Sequence, residues 1–123
     1  MKFLSVITIA FIAILAAPES QARKWTELQC GPDWGPKEQV SPVYPRRAQQ
    51  RGVEGYIVMG FSIAQDGTIE DISVIEANPA KAFVRSATQA VSSLEFPPCV
   101  QNGIATRQTD ISVKFDFNLL KGS

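Results

Sequence analysis

An α+β domain is predicted, a three-stranded antiparallel sheet with two helices packed on one face, and three observations predict it. The stretches Gly55 to Ala64 and Thr109 to Leu119 alternate apolar and polar residues with the period of two that a half-buried strand requires. An Asp-Gly turn joins the first of these to a third stretch of strand composition, which gives a hairpin. Between the hairpin and the last strand, apolar residues recur at helical spacing.

The short helix comes first. Pro42 to Gly55 reads PVYPRRAQQRGVEG. Proline fixes its own φ and pushes the preceding residue toward extended geometry, so Val43 and Tyr44 are expected to run extended and Pro45 to occupy the first helical position. Gly52 stops that helix. In the first strand Ile57, Met59, Phe61 and Ile63 share the core face, and Tyr56, Val58, Gly60 and Ser62 the other. Gln65-Asp66-Gly67 supplies the tight reversal. The second strand is expected over Thr68 to Glu76, with Ile72 and Val74 inward. Ile69 and Ile75 fall on the opposite parity, which predicts a bulge or a partly covered outer face.

Asn78-Pro79 reads as a helix start, Asn as cap and Pro at the first position, with the helix running to about Leu94. Phe83, Ala87, Ala90 and Leu94, widened by Val84 and Val91, form its sheet-facing stripe. Pro97 and Pro98 forbid continuation, and Asn102-Gly103 is a second turn signal. The final strand places Ile111, Val113, Phe115, Phe117 and Leu119 inward, and Asp110, Ser112, Lys114, Asp116 and Asn118 outward. No later strand is available to cover one of its sides. Such an edge is either a structural border or a place where a chosen peptide adds as a further strand.

The chain has 123 residues and zero formal net charge. Residues 1–22 read as a signal peptide: Lys2, an apolar run from Phe3 to Ala17, and Ser20-Gln21-Ala22 at the cleavage positions. The run is roughly 15 residues, short of the ~20 a spanning helix needs, and retention as an inner-membrane anchor is the alternative reading. Residues 23–39 form an irregular lead, and 40–120 are enough for one domain. The neutral balance gives no steering toward nucleic acid or anionic lipid. The basic cluster Arg46, Arg47 and Arg51 reads as a solvated helix face. An exported chain with two cysteines usually pairs them. A Cys30–Cys99 bridge closes a loop of roughly 70 residues and stabilises by about 4 kcal/mol on the chain-entropy argument.

Enzyme readings fare badly. The chain contains no His, the commonest general base and metal ligand and the usual partner of a Ser or Cys nucleophile. Asp66, Glu70, Asp71 and Glu76 alternate around a hairpin and lack the spacing of a calcium loop, so no metal is expected. Gly52, Gly55 and Gly60 do not form a phosphate-cradling loop before a helix, and no cofactor is expected.

The block P-x-Y-P-x-x-A-x-x-x-G-x-x-G, the Asp66-Gly67 hairpin, Asn78-Pro79-Ala80 with Phe83, Phe96 with Pro98, and Asn102-Gly103 occur in an order and spacing that resembles the TonB C-terminal domain family. The resemblance covers roughly Val40 to Leu119. It implies a periplasmic energy-transducer module, supporting transmembrane transport, whose last strand receives a short segment of a TonB-dependent outer-membrane receptor by strand addition. Carried over, the partner-binding positions are Ser41, Pro42, Val43 and Tyr44, with Asp110, Ser112, Lys114, Asp116 and Asn118 along the strand. Two departures stand beside it. Fewer than twenty residues separate the signal from Val40 where family transducers carry a long proline-rich spacer, and fully extended these span only about 60 Å. Leu94 and Glu95 stand where the family often has an aromatic and a basic residue.

Three readings stay open on the residues: a periplasmic domain that binds an extended envelope peptide, a secreted structural or inhibitor-like domain using the same fold, and an anchored short transducer. Strand exchange through the last edge is one route to a homodimer.

Overall fold

The computed structural model describes residues 23–119. The expected signal peptide or anchor at 1–22 lies outside the described residues. Among the described residues no helix is long and apolar enough to cross a membrane. In chain order the elements are a single 3-10 turn (Trp25–Glu27) in the lead, then α1 (Arg46–Arg51), β1 (Gly55–Ile63), β2 (Ile69–Asn78), α2 (Val84–Ser92), β3 (Val100–Gln101), β4 (Ile104–Ala105) and β5 (Gln108–Phe117). The main sheet has the order β2-β1-β5 and both pairings are antiparallel. This is the expected α+β architecture, and β1 is its central strand.

The inner face of β1 is the floor of the core. Ile57, Met59, Phe61 and Ile63 are all buried, as the alternation predicts, and Phe83, Ala87, Val91, Leu94 and Phe96 close over them from the α2 side. Side chains of this size contribute about 1.5–3 kcal/mol each when fully buried. Ser86 is buried too, because its Oγ donates to the Val43 carbonyl and so joins α2 to the segment before α1.

Gly52 ends α1 in the left-handed conformation (φ 67°), and its N–H reaches back to carbonyls of the last turn. Pro45 corrects the sequence reading by one position. Its ψ of 132° makes it the cap residue outside the helix. The Asp66-Gly67 turn forms as expected: Asp66 Oδ1 accepts from the Thr68 amide and hydroxyl at 3.0 and 2.7 Å. Gly67 is required for a second reason. With φ at 91°, a Cβ there would sit 1.8 Å from the Phe96 carbonyl oxygen.

β2 carries two register shifts against β1, between Val58 and Met59 and between Gly60 and Ser62. Ile75 is the extra residue at the first, and it lies over Gly60 on the outer face. The parity conflict in the sequence is therefore both a bulge and a partly covered face. Ile72 is half-buried, but Val74, expected inward, is exposed although it pairs with buried Met59.

The Asn78-Pro79 helix start is overturned. Asn78 pairs with Tyr56 as the last residue of β2, Pro79–Phe83 form a turn, and α2 begins at Val84 with Phe83 as its cap and ends at Ser92. Ladder pairing to β1 outweighs the local capping preference of the Asn-Pro pair. The Asn102-Gly103 signal makes a small hairpin between β3 and β4 that the sequence reading did not contain, with φ of 54° and 80° at the two turn residues.

The lead is not featureless. Cys30 and Cys99 are bonded with Cα atoms 4.8 Å apart. Trp34 stacks on Phe96 at 5.0 Å and donates its indole N–H to the Pro97 carbonyl, and Trp25 meets Phe96 edge-on. Buried aromatic pairs of this kind add about 0.5–1.5 kcal/mol beyond area burial. The lead is thereby fixed across the region after α2.

Candidate partner-binding site

β5 owes its course to alternation. Ile111, Val113, Phe115 and Phe117 lie opposite Phe61, Met59, Ile57 and Gly55 of β1 with no register shift. The strand stops short of the expected Leu119 and begins at Gln108, one residue before the expected Thr109. Pairing stops at Phe117, so Asn118 and Leu119 lie beyond the strand, and Asp110 takes φ 57°, which breaks the alternation at the start. Val113 and Phe115 are only half-buried because the strand is an edge and the core covers its side chains from one flank.

The start of that edge is occupied by the chain itself. The Arg23 amide donates to the Asp110 carbonyl and the Ser112 amide donates to the Arg23 carbonyl, both at 2.8 Å, in a parallel bridge. Arg23 also places its guanidinium on the Thr109 carbonyl at 2.7 Å. The edge is thus free only beyond Ser112, which narrows the expectation that it runs from Asp110. The Ser112 amide points away from β1, and the two-residue repeat of a strand puts the N–H and C=O of Lys114 and Asp116 on that same side. Among the described residues nothing bonds them.

Outer-face side chains follow the backbone parity. Lys114 Nζ sits 4.8 Å from the Tyr56 ring centroid and 3.6 Å from Asp116 Oδ1. Tyr56 donates to Glu76 Oε1 at 2.7 Å, and that bond, with smaller contributions from partial desolvation and the carboxylate charge, raises its phenol above the ordinary value. Exposed pairs such as Lys114–Asp116 contribute at most about 1 kcal/mol, so they set contact chemistry more than stability.

The second wall is Ser41–Tyr44. Ser41 and Val43 are exposed, while Pro42 and Tyr44 are half-buried. Tyr44 is committed to the fold: its hydroxyl donates to the Val53 carbonyl, and its ring meets Phe83 and Phe117 edge-on at 5.8 and 5.5 Å. Partial burial first, and Glu54 second, push its phenol up. Phe83 and Phe117 stack face to face at 4.0 Å. The structure therefore brings Tyr44 to the Phe117 end of β5, while Asp110 and Ser112 lie at the other end under Arg23. The residue that sequence reasoning missed is Arg23. Its position at the expected start of the mature chain hid it, since an irregular lead carries no periodic signal.

Among the described residues no three His, Cys, Asp or Glu side chains gather to hold a metal ion. In the shallow outer-face hollow lined by Asp71 and Arg107, Arg107 is ion-paired to Asp71 at 2.7 Å and also to Glu70.

A small helix-backed sheet with one regular, partly open edge is the class that fold and site define. Residues 40–119 match the family described as the Gram-negative bacterial TonB protein C-terminal, and the chain belongs to that family. It is 44% identical over 77 residues to Protein TonB of Pseudomonas aeruginosa, covering 62% of this chain and 22% of that protein. It is 30% identical over 86 residues to Protein TonB of Klebsiella pneumoniae, covering 68% and 34%. The solution structure of the Pseudomonas aeruginosa TonB C-terminal domain superposes with a TM-score of 0.62 at 39% identity, over 76% of this chain and 93% of that one. The TonB2 protein of Vibrio anguillarum superposes with a TM-score of 0.57 at 35% identity, over 80% and 99%. The chain spans between a fifth and about a third of the length of these two curated relatives.

Proposed function

We propose that this chain is a periplasmic protein-interaction domain of the TonB type that receives an extended peptide, such as a segment of a TonB-dependent outer-membrane receptor, by strand addition along β5. The observation that carries the reading is the regular edge at Lys114 and Asp116, whose backbone groups are unbonded among the described residues while the strand behind them is held in register by β1. Backbone bonds would supply most of the affinity, with Lys114, Asp116 and Asn118 meeting the peptide's side chains and Ser41 to Tyr44 its far end. Asp110 and Ser112 join in only if Arg23 yields its place. On this reading the domain has no catalytic role, cofactor or nucleic-acid partner, and it supports transport by binding.

Titrating isotope-labelled residues 23–123 with receptor N-terminal peptides tests this. The expected result is amide shifts concentrated at Ser41–Tyr44 and Val113–Asn118, with the Lys114 and Asp116 amides gaining exchange protection. No response to any such peptide would sink the reading in favour of a structural domain with an idle edge, for which the Arg23 bridge is the supporting observation.

A further inference from the structure

A second concave surface lies on the helical layer, away from the β5 edge. α1 and the turn leading into α2 enclose an open groove of roughly 990 Å³. Its rim carries Arg46, Arg47 and Arg51 from one side and Lys81 and Arg85 from the other, and no acidic residue lines it. None of the five is in an ion pair among the described residues. The nearby Glu54 is turned elsewhere, its Oε1 accepting the Leu119 amide at 3.0 Å. The sequence shows only the first three cations, on a six-residue helix. Lys81 and Arg85, thirty or more residues later, are brought to the same groove by the Ser86–Val43 bond and the Tyr44–Phe83 contact.

In a chain of zero net charge, five cations around one groove with no ion pair among the described residues are a local concentration of like charge. Charges separated by less than the screening length of about 8 Å repel one another at physiological salt, so an anionic occupant would relieve the field. Four of the five are arginines, whose planar forks match carboxylates in pairs. The wall between the cations is apolar, formed by Pro45, Ala82 and Val43, the last 77% exposed. An extended segment carrying both carboxylates and an apolar side chain would meet the rim and that wall together.

We propose that the α1–α2 groove docks an acidic, extended segment of a protein partner, its carboxylates on the arginine rim and an apolar side chain against Val43 and Ala82. The proposal does not rest on strand addition. Tyr44 borders both places, so one partner with an acidic stretch beside its strand-forming stretch would be able to use both.

Fluorescence anisotropy of a labelled synthetic peptide interspersing Glu with Val and Pro, against residues 23–123, tests it. We expect salt-sensitive binding that is lost when every Glu is replaced by Gln, and that weakens by about tenfold or more in a Arg47→Glu, Arg85→Glu variant whose circular dichroism is unchanged. Lys114→Pro, which removes a donor from the β5 edge only, is expected to leave this binding intact. Equal affinity for the Gln peptide, or no weakening in the charge-reversed variant, overturns the proposal. So does loss of binding in Lys114→Pro, which would place the peptide on the strand edge, and so does binding confined to phosphatidylglycerol vesicles, which would make the surface a lipid contact.

Discussion

β2 and β5 are the two outer strands of one sheet, and they present themselves to solvent in opposite ways. β2 takes two extra residues against β1, turns Asp71 to φ 55°, and has Glu70 and Asp71 held by Arg107, the residue just before β5. Bulges and charges of this kind spoil the regular row of donors and acceptors that an added strand needs. β5 runs against β1 without a shift from Ile111 to Phe117, and its irregularity is confined to Asp110. Only its start is blunted, by Arg23. The two edges teach that accessibility here is decided residue by residue: an outer strand becomes a docking edge where its register stays regular and nothing local claims its backbone.

The largest way to break this contrast is to release the lead. Replacing Cys30 and Cys99 by Ser is expected to cost about 4 kcal/mol and to open Ser112 to exchange while β2 keeps its protection. Denaturant melts with hydrogen exchange check it, and an unchanged midpoint would mean that the bridge does not hold the lead. Phe117→Ala comes next, at about 3 kcal/mol, because it removes a buried ring that stacks on Phe83 and bears on Tyr44. Chemical denaturation of the variant measures the loss, and the far end of β5 is expected to fray while the bulged strand stays.

Lys114→Pro sharpens the contrast with little effect on stability. Lys114 directs its N–H away from β1, and proline is tolerated at such positions of an edge strand. Binding of a strand-forming receptor peptide is expected to fall by about tenfold or more. Isothermal titration that finds undiminished affinity would remove β5 as the docking edge.

The smallest effect belongs to the turn that feeds β2. The Thr68 hydroxyl, then its amide, hold the Asp66 carboxyl below the ordinary 3.8, with slight desolvation opposing them. A carboxylate whose folded pKa is depressed stabilises fully above its unfolded value, and the contribution fades as pH falls from about 3.8 through the lower folded value. The stability difference between the parent and Asp66→Asn is expected to be flat above pH 5 or so and to shrink below pH 4 or so. A difference that persists unchanged in acid would show that the charge plays no part in the turn.

Much of this was legible locally. The β1 alternation named its four core-facing side chains, though Gly60 and Ser62 on the other face are buried as well. Gly52 and Gly67 marked positions that need positive φ, and the parity of Ile69 and Ile75 signalled a bulge or a partly covered face. Asn78-Pro79 misled because a cap-and-proline pair looks the same whether it opens a helix or closes a strand. The difference is Tyr56, which pairs with Asn78 from more than twenty residues away. At the site, the alternating outward residues of β5 were readable, but Arg23 was not, since a single parallel bridge leaves no pattern in the lead.

Local sequence was enough for the order of the two helices and three main strands, the core-facing side chains of the central strand, the pairing partner of each cysteine and the family to which the chain belongs. These follow from short-range chemistry: side-chain parity, turn geometry, and a cysteine count of two. Where β2 ends, how far the β5 edge is free, and that Lys81 and Arg85 line the same groove as the cations of α1 were settled by long-range packing. Each of those depends on which distant backbone or side chain fills a neighbouring place, and packing, not local propensity, selects the occupant.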